Sequence, residues 1–521
     1  MTTATSDALG FWAIADADPD RPALITPSGD TYTYGELDER ANRVANGLRS
    51  LGLRRGDGVA IVLPNEVTFV ELYLAAMQTG LYLTCINYHL TGPEIAYIVN
   101  DCEADVLVVH ERYAAAAAAA APELELPSER RFAVGAIDGY RPYDEIADGR
   151  SGDRPTERSS GTTMLYTSGT TGRPKGVRRP LPDVDPNDAA AAGSMLSMLF
   201  DIVPGPGAHL VAGPLYHAAP LAFGTGALHL GQAMVLVDRW TPEGTLRLVQ
   251  EHGITTSHMV PTMFHRLLQL PEDERSRYDT SSLRSVIHAA APCPVEVKRK
   301  MIEWWGPVIY EYYAATEGGG AYVKPKDWLE HPGTVGQPFP GAQIKIFDDD
   351  GNELPPGEVG TVYMGSPGGA TFEYFKDEEK TKANRRGGLF TVGDMGYLDE
   401  DGWLFLSDRK ADMIISGGVN IYPAEIEGVL LEHPAVADAA VLGVPDDEWG
   451  EQVKAVVQAK DPARAGDDLA QELLVFCRER LAAFKCPRSV DFRDELPRFP
   501  TGKLYKRLLR DEYWAGREKA I

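Results

Sequence analysis

Cysteine is scarce in this chain of 521 residues, which contains five cysteines and no C-x-x-C pair. Neither a disulfide framework nor a zinc site is therefore predicted. The first ten residues lack a basic segment followed by an apolar core, so no secretory signal is expected. The most apolar long region, 211–237, still carries His217, His229 and Gln232, which a membrane span would avoid. These absences predict a soluble cytoplasmic protein.

Positively charged residues are also few. The chain has 51 Lys and Arg residues and 76 Asp and Glu residues, which gives a net charge of −25. A surface of that sign repels nucleic acid and anionic membranes, although a local basic site for a nucleotide is compatible with it. A homodimer and a peripheral contact with a membrane are both left open. Hydrophobic residues make up 44% of the chain, which is ordinary for globular proteins, and the length exceeds what one core usually holds. Two or more domains are therefore predicted.

Strands and helices alternate along the first part of the chain, which favours an α/β fold with mostly parallel sheets. The predicted elements are a capped helix after Thr33-x-x-Glu36, a buried strand at 59–63, a helix up to Gly80, a strand at 106–109, a helix over the alanines 114–121, and strands at 233–237 and 285–288. Residues 123–160 are weakly patterned and are predicted to form a crossing connection.

The pattern changes from Gln343 onward, where short strands at 343–347, 360–364 and 403–406 are divided by turn sequences and predict hairpins. Beyond Asp408 follows a compact module of the size of one small domain. Its predicted elements are a helix at 423–431 and strands at 437–442 and 453–459. The predicted domains are therefore 1–408 and 409–521.

Residues 166–177 read YTSGTTGRPKGV and combine hydroxyl groups, glycines and one lysine. Glycines let successive backbone N–H groups turn toward one anion, and hydroxyls and an ammonium complete a cradle for phosphate oxygens. The stretch is not a Walker loop, and its composition also fits an ordinary surface loop. The predicted phosphate contacts are Thr167, Ser168, Gly169, Thr170, Thr171, Gly172 and Lys175.

Four further stretches are YYAATEG (312–318), FTVGDMGYLDEDG (390–402), DRKADMIISGGVNIYPAEIE (408–427) and PTGK (500–503). With these five motifs in this order and spacing, the chain resembles the adenylate-forming superfamily of acyl-CoA synthetases, aryl-CoA ligases, luciferases and adenylation domains. It is most similar to bacterial fatty-acyl-CoA synthetases. The resemblance implies a large N-terminal domain with mostly parallel sheets and a small β-barrel-like part, followed by a small mobile α+β C-terminal domain.

The same resemblance implies a reaction and its cofactors. ATP activates a carboxylic acid to an acyl-adenylate with loss of pyrophosphate, and coenzyme A then takes the acyl group. Thr316 is implied to touch the α-phosphate, and Glu317 to hold Mg²⁺, for which carboxylate oxygen is a suitable ligand. Asp394 is implied to accept both ribose hydroxyls and Arg409 to contact the ribose or phosphates. The implied adenosine contacts are Ala289, Ala290, Ala291, Glu311, Tyr312 and Tyr313; the three alanines would also fit strand-end packing.

The C-terminal motifs carry the groups that the resemblance assigns to a moving domain. Lys503 is implied to bridge carboxylate and phosphate oxygens during adenylation. The implied path of the coenzyme A thiol runs past Ser416, Gly417 and Gly418, although the glycines would also fit a β-bulge. The family commonly places Asp or Lys at the position of Ala411, so the hinge is either Ala411 or its neighbour Lys410.

The acid pocket is predicted from apolar stretches around Tyr216 and Met259. His217 matches the family's gate between pocket and thiol tunnel, although a histidine in an apolar stretch is often a core residue. No acidic residue lies in 216–223, so a buried ammonium would go unpaired and amino acids are disfavoured as substrates. A hydrophobic acid is predicted, either fatty or bulky alicyclic or steroid-type. The predicted pocket residues are Tyr216, His217, Phe223, Met259, Met263 and Ala314; Met259 and Met263 would also fit a helix core.

Coenzyme A is the predicted acceptor, because S-G-G-V-N-I-Y-P resembles CoA ligases. An acyl-AMP ligase that loads a carrier protein is the alternative, and its long-chain members usually carry an N-terminal insertion that is not obvious here. A non-catalytic nucleotide-binding module is a third interpretation. It would fit a chain without Lys503 or Glu317, and both are present.

Overall fold

The structure is a computed structural model that describes residues 9–167, 174–365, 372–409, 412–416, 419–446, 449–498 and 504–515. The helices are α1 (Phe11–Ala17), α2 (Tyr34–Ser50), α3 (Val67–Thr79), α4 (Gly92–Asp101), α5 (Ala114–Ala120), α6 (Asp144–Ala147), α7 (Pro186–Met198), α8 (Ala218–His229), α9 (Pro242–His252), α10 (Pro261–Leu268), α11 (Glu272–Arg275), α12 (Val295–Trp305), α13 (Pro325–Glu330), α14 (Glu378–Ala383), α15 (Pro423–Glu432), α16 (Asp467–Arg478) and α17 (Lys506–Tyr513).

The strands are mostly short. They are β1 (Pro22–Ile25), β2 (Thr31–Thr33), β3 (Gly58–Val62), β4 (Tyr82–Cys85), β5 (Ala104–His110), β6 (Arg131–Val134), β7 (Arg141–Pro142), β8 (Thr162–Thr163), β9 (Leu165–Thr167), β10 (Lys175–Arg178), β11 (Ala208–Val211), β12 (Ala233–Leu236), β13 (Thr256–Met259), β14 (Ser285–His288), β15 (Ile309–Ala315), β16 (Gly318–Val323), β17 (Gln337–Pro338), β18 (Gln343–Phe347), β19 (Gly360–Gly365), β20 (Glu373–Tyr374), β21 (Arg385–Arg386), β22 (Leu389–Phe390), β23 (Asp394–Leu398), β24 (Leu404–Arg409), β25 (Ile414–Ser416), β26 (Val419–Ile421), β27 (Val436–Asp446), β28 (Gly450–Ala459) and β29 (Ser489–Phe492).

The first of two compact units comprises Met1–Met259, Leu270–Ile287 and Thr371–Ala383. One of its sheets has the order β7-β6-β5-β3-β4-β8 and is parallel throughout. All five residues of β3 are buried, as a strand covered on both faces requires. In a second sheet β13, β11, β12 and β1 are parallel neighbours and β2 closes the edge in the antiparallel sense. The unit is therefore of the doubly covered α/β type.

The second unit comprises Val260–Gln269, His288–Ala370 and Asn384–Ile521. Its strands β15, β16 and β17 form antiparallel pairs, and β18 to β24, apart from β20, build an antiparallel sheet around β19 and β23. Farther along, the long hairpin β27–β28 pairs with β25 and β29, and α15 and α16 supply apolar residues to its core. The pairing in this unit is mostly antiparallel, with β28–β29 as a parallel pair, whereas the two large sheets described for the first unit are mostly parallel.

Much of the predicted pattern is confirmed. The capping box at Thr33 and Glu36 is present, and Gly80 ends α3 in the left-handed conformation that glycine permits. The strands predicted at 285–288 and 343–347 have those bounds. The prediction for 123–160 was wrong in part, because β6 within it joins the parallel sheet beside β5. The predicted α/β fold class is confirmed, and the domain boundary between 408 and 409 stays a prediction.

In the described part of the chain, no helix combines the length and the apolar character that crossing a membrane demands.

Candidate active site

The hairpin β15–β16 carries the Thr316-Glu317 pair in its turn. Ala315 pairs with Gly318 across the hairpin, so only these two residues reverse the chain. Gly320, at φ 140°, faces the Tyr313 carbonyl oxygen so closely that a β-carbon would collide with it. Glycine is therefore required for the close approach of the two strands. The turn leaves Thr316 half-buried and Glu317 only 7% exposed.

A hydrogen bond connects this hairpin to the residue predicted to bind ribose. The Tyr313 hydroxyl donates to Asp394 Oδ2 at 2.8 Å, and Asp394 is 8% exposed at the start of β23. Arg409 is the partner of Asp394 in the β23–β24 ladder, although only the Arg409 backbone is described. The structure thus brings together Tyr313, Asp394 and the backbone of Arg409.

The small-residue segment 289–291 follows directly after β14. Ala289 is buried, whereas Ala290 is exposed and adopts φ +74°. The left-handed region costs a residue with a β-carbon about 1–2 kcal/mol, so the surrounding structure must hold this conformation. The adenosine contact implied for Ala289, Ala290 and Ala291 stays a prediction.

Glu311 lies in a buried ion pair. Its Oε2 accepts a hydrogen bond from Lys298 Nζ at 2.6 Å and lies 3.4 Å from His288 Nε2, and Lys298 and His288 are fully buried. Burial alone would raise the pKa of Glu311, but Lys298 and then His288 hold it well below its usual range. The carboxylate is therefore ionised and committed to Lys298, whereas Tyr312 and Tyr313 beside it remain half-buried.

Lys298 was missed in the sequence, where it stands in the charged run V-E-V-K-R-K. A signal was present, because Lys298, Met301, Ile302 and Trp305 follow the spacing i, i+3, i+4, i+7 of one helix face. Lysines on such a face are rarely fully buried unless they are paired. Helical register therefore points to Lys298 and not to its exposed neighbours.

The predicted gate lies after β11 in the first unit. The Tyr216 and His217 rings are 4.2 Å apart, the Tyr88 ring meets Tyr216 edge-on at 4.9 Å, and Tyr113 stacks on Tyr88 at 4.8 Å. Burial, with a smaller effect of His89, lowers the pKa of His217 to about 3, so the imidazole is neutral. Within the described residues, Tyr216 Oη and His217 Nε2 are buried and have no hydrogen-bond partner.

The remaining predicted pocket residues are dispersed over both units. Phe223 is buried between Phe200, at 5.3 Å edge-on, and the His258 ring stacked at 5.3 Å. Met259 is buried at the end of β13 in the same unit. In the second unit, Met263 is buried on α10, and Ala314 is exposed on β15 beside the Thr316 turn.

The predicted phosphate loop is framed by a hairpin. Strand β9 ends at Thr167 and β10 begins at Lys175, and these two residues pair across the hairpin. Lys175 forms an ion pair with Asp377. Ser168, Gly169, Thr170, Thr171 and Gly172 lie outside the described residues, and of Thr167 only the backbone is described.

Most of the residues predicted for the mobile domain cannot be located. Lys410, Ala411, Gly417, Gly418 and Lys503 lie outside the described residues. Ser416 ends β25 and pairs with Val419 across the β25–β26 hairpin. The assignments of the hinge, the thiol path and the bridging lysine therefore stay predictions.

No group of three or more His, Cys, Asp or Glu side chains arranged to hold an ion occurs among the described residues. Magnesium commonly binds through one or two carboxylates together with substrate phosphates, so a single well-placed acid is sufficient. Glu317, which is 7% exposed and follows Thr316 in the turn, has the carboxylate that such a site needs.

The α/β fold and the turn that carries Thr316 and Glu317 agree with the class of adenylate-forming enzymes. Models of known families agree, since "AMP-binding enzyme" matches residues 11–374 and "AMP-binding enzyme C-terminal domain" matches 425–503. The chain belongs to the AMP-binding enzyme family. The prediction of an ATP-dependent, AMP-forming acid–thiol ligase is confirmed at the level of this class.

Individual relatives extend over almost the whole chain. The fatty acid–[acyl-carrier-protein] ligase ScoC of Streptomyces coeruleorubidus is 32% identical, over 97% of this chain and 96% of the relative. A feruloyl-CoA synthase of an Amycolatopsis species is 34% identical, over 97% and 99%. Among solved structures, the anthranilate CoA ligase AuaEII in complex with anthranoyl-AMP superposes with a TM-score of 0.85, at 26% identity over 98% and 99% of the two chains.

Proposed function

We propose that this protein is an acyl-CoA synthetase that activates a hydrophobic carboxylic acid, fatty or bulky alicyclic or steroid-type. The observation that carries the proposal is the β15–β16 hairpin, whose turn holds Thr316 and Glu317 while its Tyr313 hydroxyl bonds to Asp394 at 2.8 Å. Phosphate, metal and ribose ligands thus come from one small region of a chain in the AMP-binding enzyme family.

Two displacements make up the reaction. In the first, a carboxylate oxygen of the acid forms a bond to the α-phosphorus of ATP, and the bond from that phosphorus to the bridging oxygen breaks, releasing pyrophosphate. In the second, the thiol sulfur of coenzyme A, having lost its proton, attacks the acyl carbon and AMP leaves. Because charge builds on the phosphate oxygens in the first step, hydrogen-bond donors and cations placed there lower the barrier.

The residues take separate parts in this scheme. The Thr316 hydroxyl donates to the α-phosphate, Asp394 orients the ribose, and Lys503 bridges acid and phosphate. Glu317 would hold Mg²⁺, which neutralises phosphate charge when bound. The neutral His217 imidazole separates the acid from the thiol path, and its unpartnered Nε2 has a hydrogen-bond capacity that a substrate can satisfy.

The nature of the acid is supported by the groups around the gate. Tyr216, Phe223 and Met259 are buried and offer rings and a thioether, and no acidic residue lies in 216–223. An apolar acid would bury its surface there, whereas an ammonium would find no counter-charge. The feruloyl-CoA synthase relative makes a ring-bearing acid a necessary member of any substrate panel.

Loading of a carrier protein is a second candidate, because one of the relatives is a fatty acid–[acyl-carrier-protein] ligase. The two functions share the adenylate and differ in the thiol that attacks it. Coenzyme A is a free small molecule, whereas the carrier presents its thiol on a protein surface. The acceptor therefore has to be tested separately from the acid.

One assay distinguishes these functions. Purified enzyme with ATP and Mg²⁺ receives fatty acids of several lengths, a steroid-type acid or a cinnamic-type acid, while free thiol is followed with Ellman's reagent and pyrophosphate by a coupled assay. We expect thiol loss with coenzyme A and a hydrophobic acid, and loss of pyrophosphate release in Lys503→Ala. Pyrophosphate release without loss of coenzyme A thiol, but with loading of a phosphopantetheinyl carrier, would favour the carrier ligase. Absence of pyrophosphate with every acid would contradict both.

A further inference from the structure

Lys298 of α12 and His288 lie against one buried carboxylate, that of Glu311 on β15, and all three residues belong to the second unit. Glu311 at the start of β15 accepts a hydrogen bond from Lys298 of α12 at 2.6 Å, and its Oε2 lies 3.4 Å from Nε2 of His288, the last residue of β14. We name this set of Lys298, Glu311 and His288 the buried clamp. Lys298 and His288 have no exposed surface, and the Glu311 side chain retains 9%.

Apolar rings enclose the clamp. Lys298 Nζ lies 4.6 Å from the centre of the Trp328 ring, and the Phe264 ring meets His288 edge-on at 5.3 Å. In such surroundings neither charge is solvated by water, so each depends on the other. The pair is therefore held in one geometry, unlike an exposed ion pair, whose side chains move freely in water.

His288 and Glu311 of the buried clamp are each followed in the sequence by residues of the candidate nucleotide site. His288 is followed by the alanine segment in which Ala290 adopts φ +74°. Glu311 precedes the half-buried Tyr312 and Tyr313, and the same strand ends at the Thr316-Glu317 turn. A displacement of His288 relative to Glu311 would therefore move the residues proposed to contact adenosine and ribose relative to each other.

Glu311 itself was expected to contact adenosine, but its carboxylate is committed to Lys298. We propose that Lys298 is a positioning residue for ATP, which acts through Glu311 to hold the Ala289–Ala291 segment and strand β15 in register for the adenosine. The inference rests on one part of the proposed function, namely that this site binds ATP. Lys298 itself touches no nucleotide atom. It affects ATP binding only through the positions of the residues that contact the nucleotide.

The first test replaces Lys298 by methionine, which keeps the length and loses the charge. We expect the KM for ATP and the dissociation constant for ATP, measured by calorimetry, to rise about tenfold, with the KM for the acid changed less than twofold. Lys298→Arg should recover part of the affinity. Lys300→Met is the matched control, because Lys300 is exposed on the same helix and should leave both constants unchanged. An equal rise for acid and ATP, or an unchanged affinity for ATP, would overturn the inference.

A pH profile separates positioning from general loss of stability. Without Lys298, burial raises the pKa of Glu311, and the titratable groups that remain against it are His288 and Cys293. Burial raises the pKa of the Cys293 thiol and keeps it neutral, while a proton on Glu311 or His288 relieves the buried negative charge. The ATP affinity of Lys298→Met should therefore recover as the pH falls from 8 to 6, and that of the wild type should not.

A neutral double variant keeps the test decisive if Lys298→Met fails to fold. Lys298→Met with Glu311→Gln carries no buried charge, so we expect it to fold, to bind ATP a few times more weakly than the wild type and to lose the pH effect. Wild-type affinity in that double variant would overturn the positioning role. If no acid yields an adenylate with the wild type while Lys298→Met still weakens ATP binding, the proposed function fails and the inference stands.

Discussion

Two sets of buried polar groups in this protein differ in whether they have hydrogen-bond partners. In the second unit, Lys298 and Glu311 satisfy each other at 2.6 Å. In the first unit, Tyr216 Oη and His217 Nε2 are buried and have no hydrogen-bond partner among the described residues. Buried polar atoms normally find a partner, and those that do not call for an explanation. A paired group shapes the fold, whereas an unpaired one is available to a ligand.

The contrast suggests how the two substrates are received. The candidate nucleotide site is braced by the protein's own contacts, Tyr313 to Asp394 and Lys298 to Glu311, before ATP arrives. The candidate acid site leaves polar atoms unsatisfied within a cluster of rings, so it gains most when a substrate fills it. Substitutions in the first site should therefore change ATP kinetics at any acid, and those in the second should depend on the acid.

The largest effect is expected at Glu317, in the candidate nucleotide site. Glu317→Gln removes the charge that would hold Mg²⁺ in the tight turn, so pyrophosphate release should fall about 10²-fold or more, with partial recovery at high magnesium. Glu330→Gln changes an exposed glutamate on α13 and is the matched control. Pyrophosphate release at the wild-type rate in Glu317→Gln would show that this acid has no part in adenylation.

A smaller and more specific effect is expected at Asp394. Its carboxylate is proposed to accept hydrogen bonds from the ribose hydroxyls, and the loss of one hydrogen bond to a charged group costs about 1.5–3 kcal/mol. Asp394→Ala should therefore raise the KM for ATP by about tenfold to 10²-fold, and 2′-deoxy-ATP, which should be a poorer substrate than ATP for the wild type, should be no poorer than ATP for the variant.

The control for Asp394 is Glu400→Ala, in the exposed turn that follows the same strand. That variant should keep the preference of the wild type for ATP over 2′-deoxy-ATP. If Asp394→Ala also retains the preference, the ribose contact is contradicted even when the KM has risen, because lost packing of the Tyr313 hydroxyl would then explain the change.

Local signals account for what could be predicted from the sequence. The helix after Thr33 and the stop at Gly80 depend on capping and on a left-handed glycine, which are encoded within a few residues. Strand β6 was not predicted, because its four residues have only a weak pattern and form a strand through their pairing with β5. Motif spacing located the Thr316-Glu317 turn and Asp394, although not the hydrogen bond between Tyr313 and Asp394.

What sequence could not provide is the state of each buried charge. The motif predicts Glu311 as a nucleotide contact, and the bond that its Oε2 accepts from Lys298 depends on how α12 packs against β15, which no local pattern encodes. The missing hydrogen-bond partners of Tyr216 Oη and His217 Nε2 could not be predicted from the sequence either, because they depend on which residues surround these atoms in the fold. Lys298 could be recognised only by reading its position on a helix face.

The smallest effect is expected at His217, as a change in how the free energy of unfolding depends on pH. Burial lowers the pKa of His217 to about 3, below its value near 6.5 in the unfolded chain, so between these two pH values the unfolded chain binds a proton that the folded protein does not. The free energy of unfolding should therefore fall as the pH drops from 6.5 toward 4, by up to about 1.4 kcal/mol per pH unit from this group. His217→Gln lacks that proton, so urea unfolding of both proteins at several pH values, without substrate, should give a shallower dependence for the variant. Equal slopes would mean that His217 is solvated and charged in the fold, and the contrast with the Lys298–Glu311 pair would then be lost.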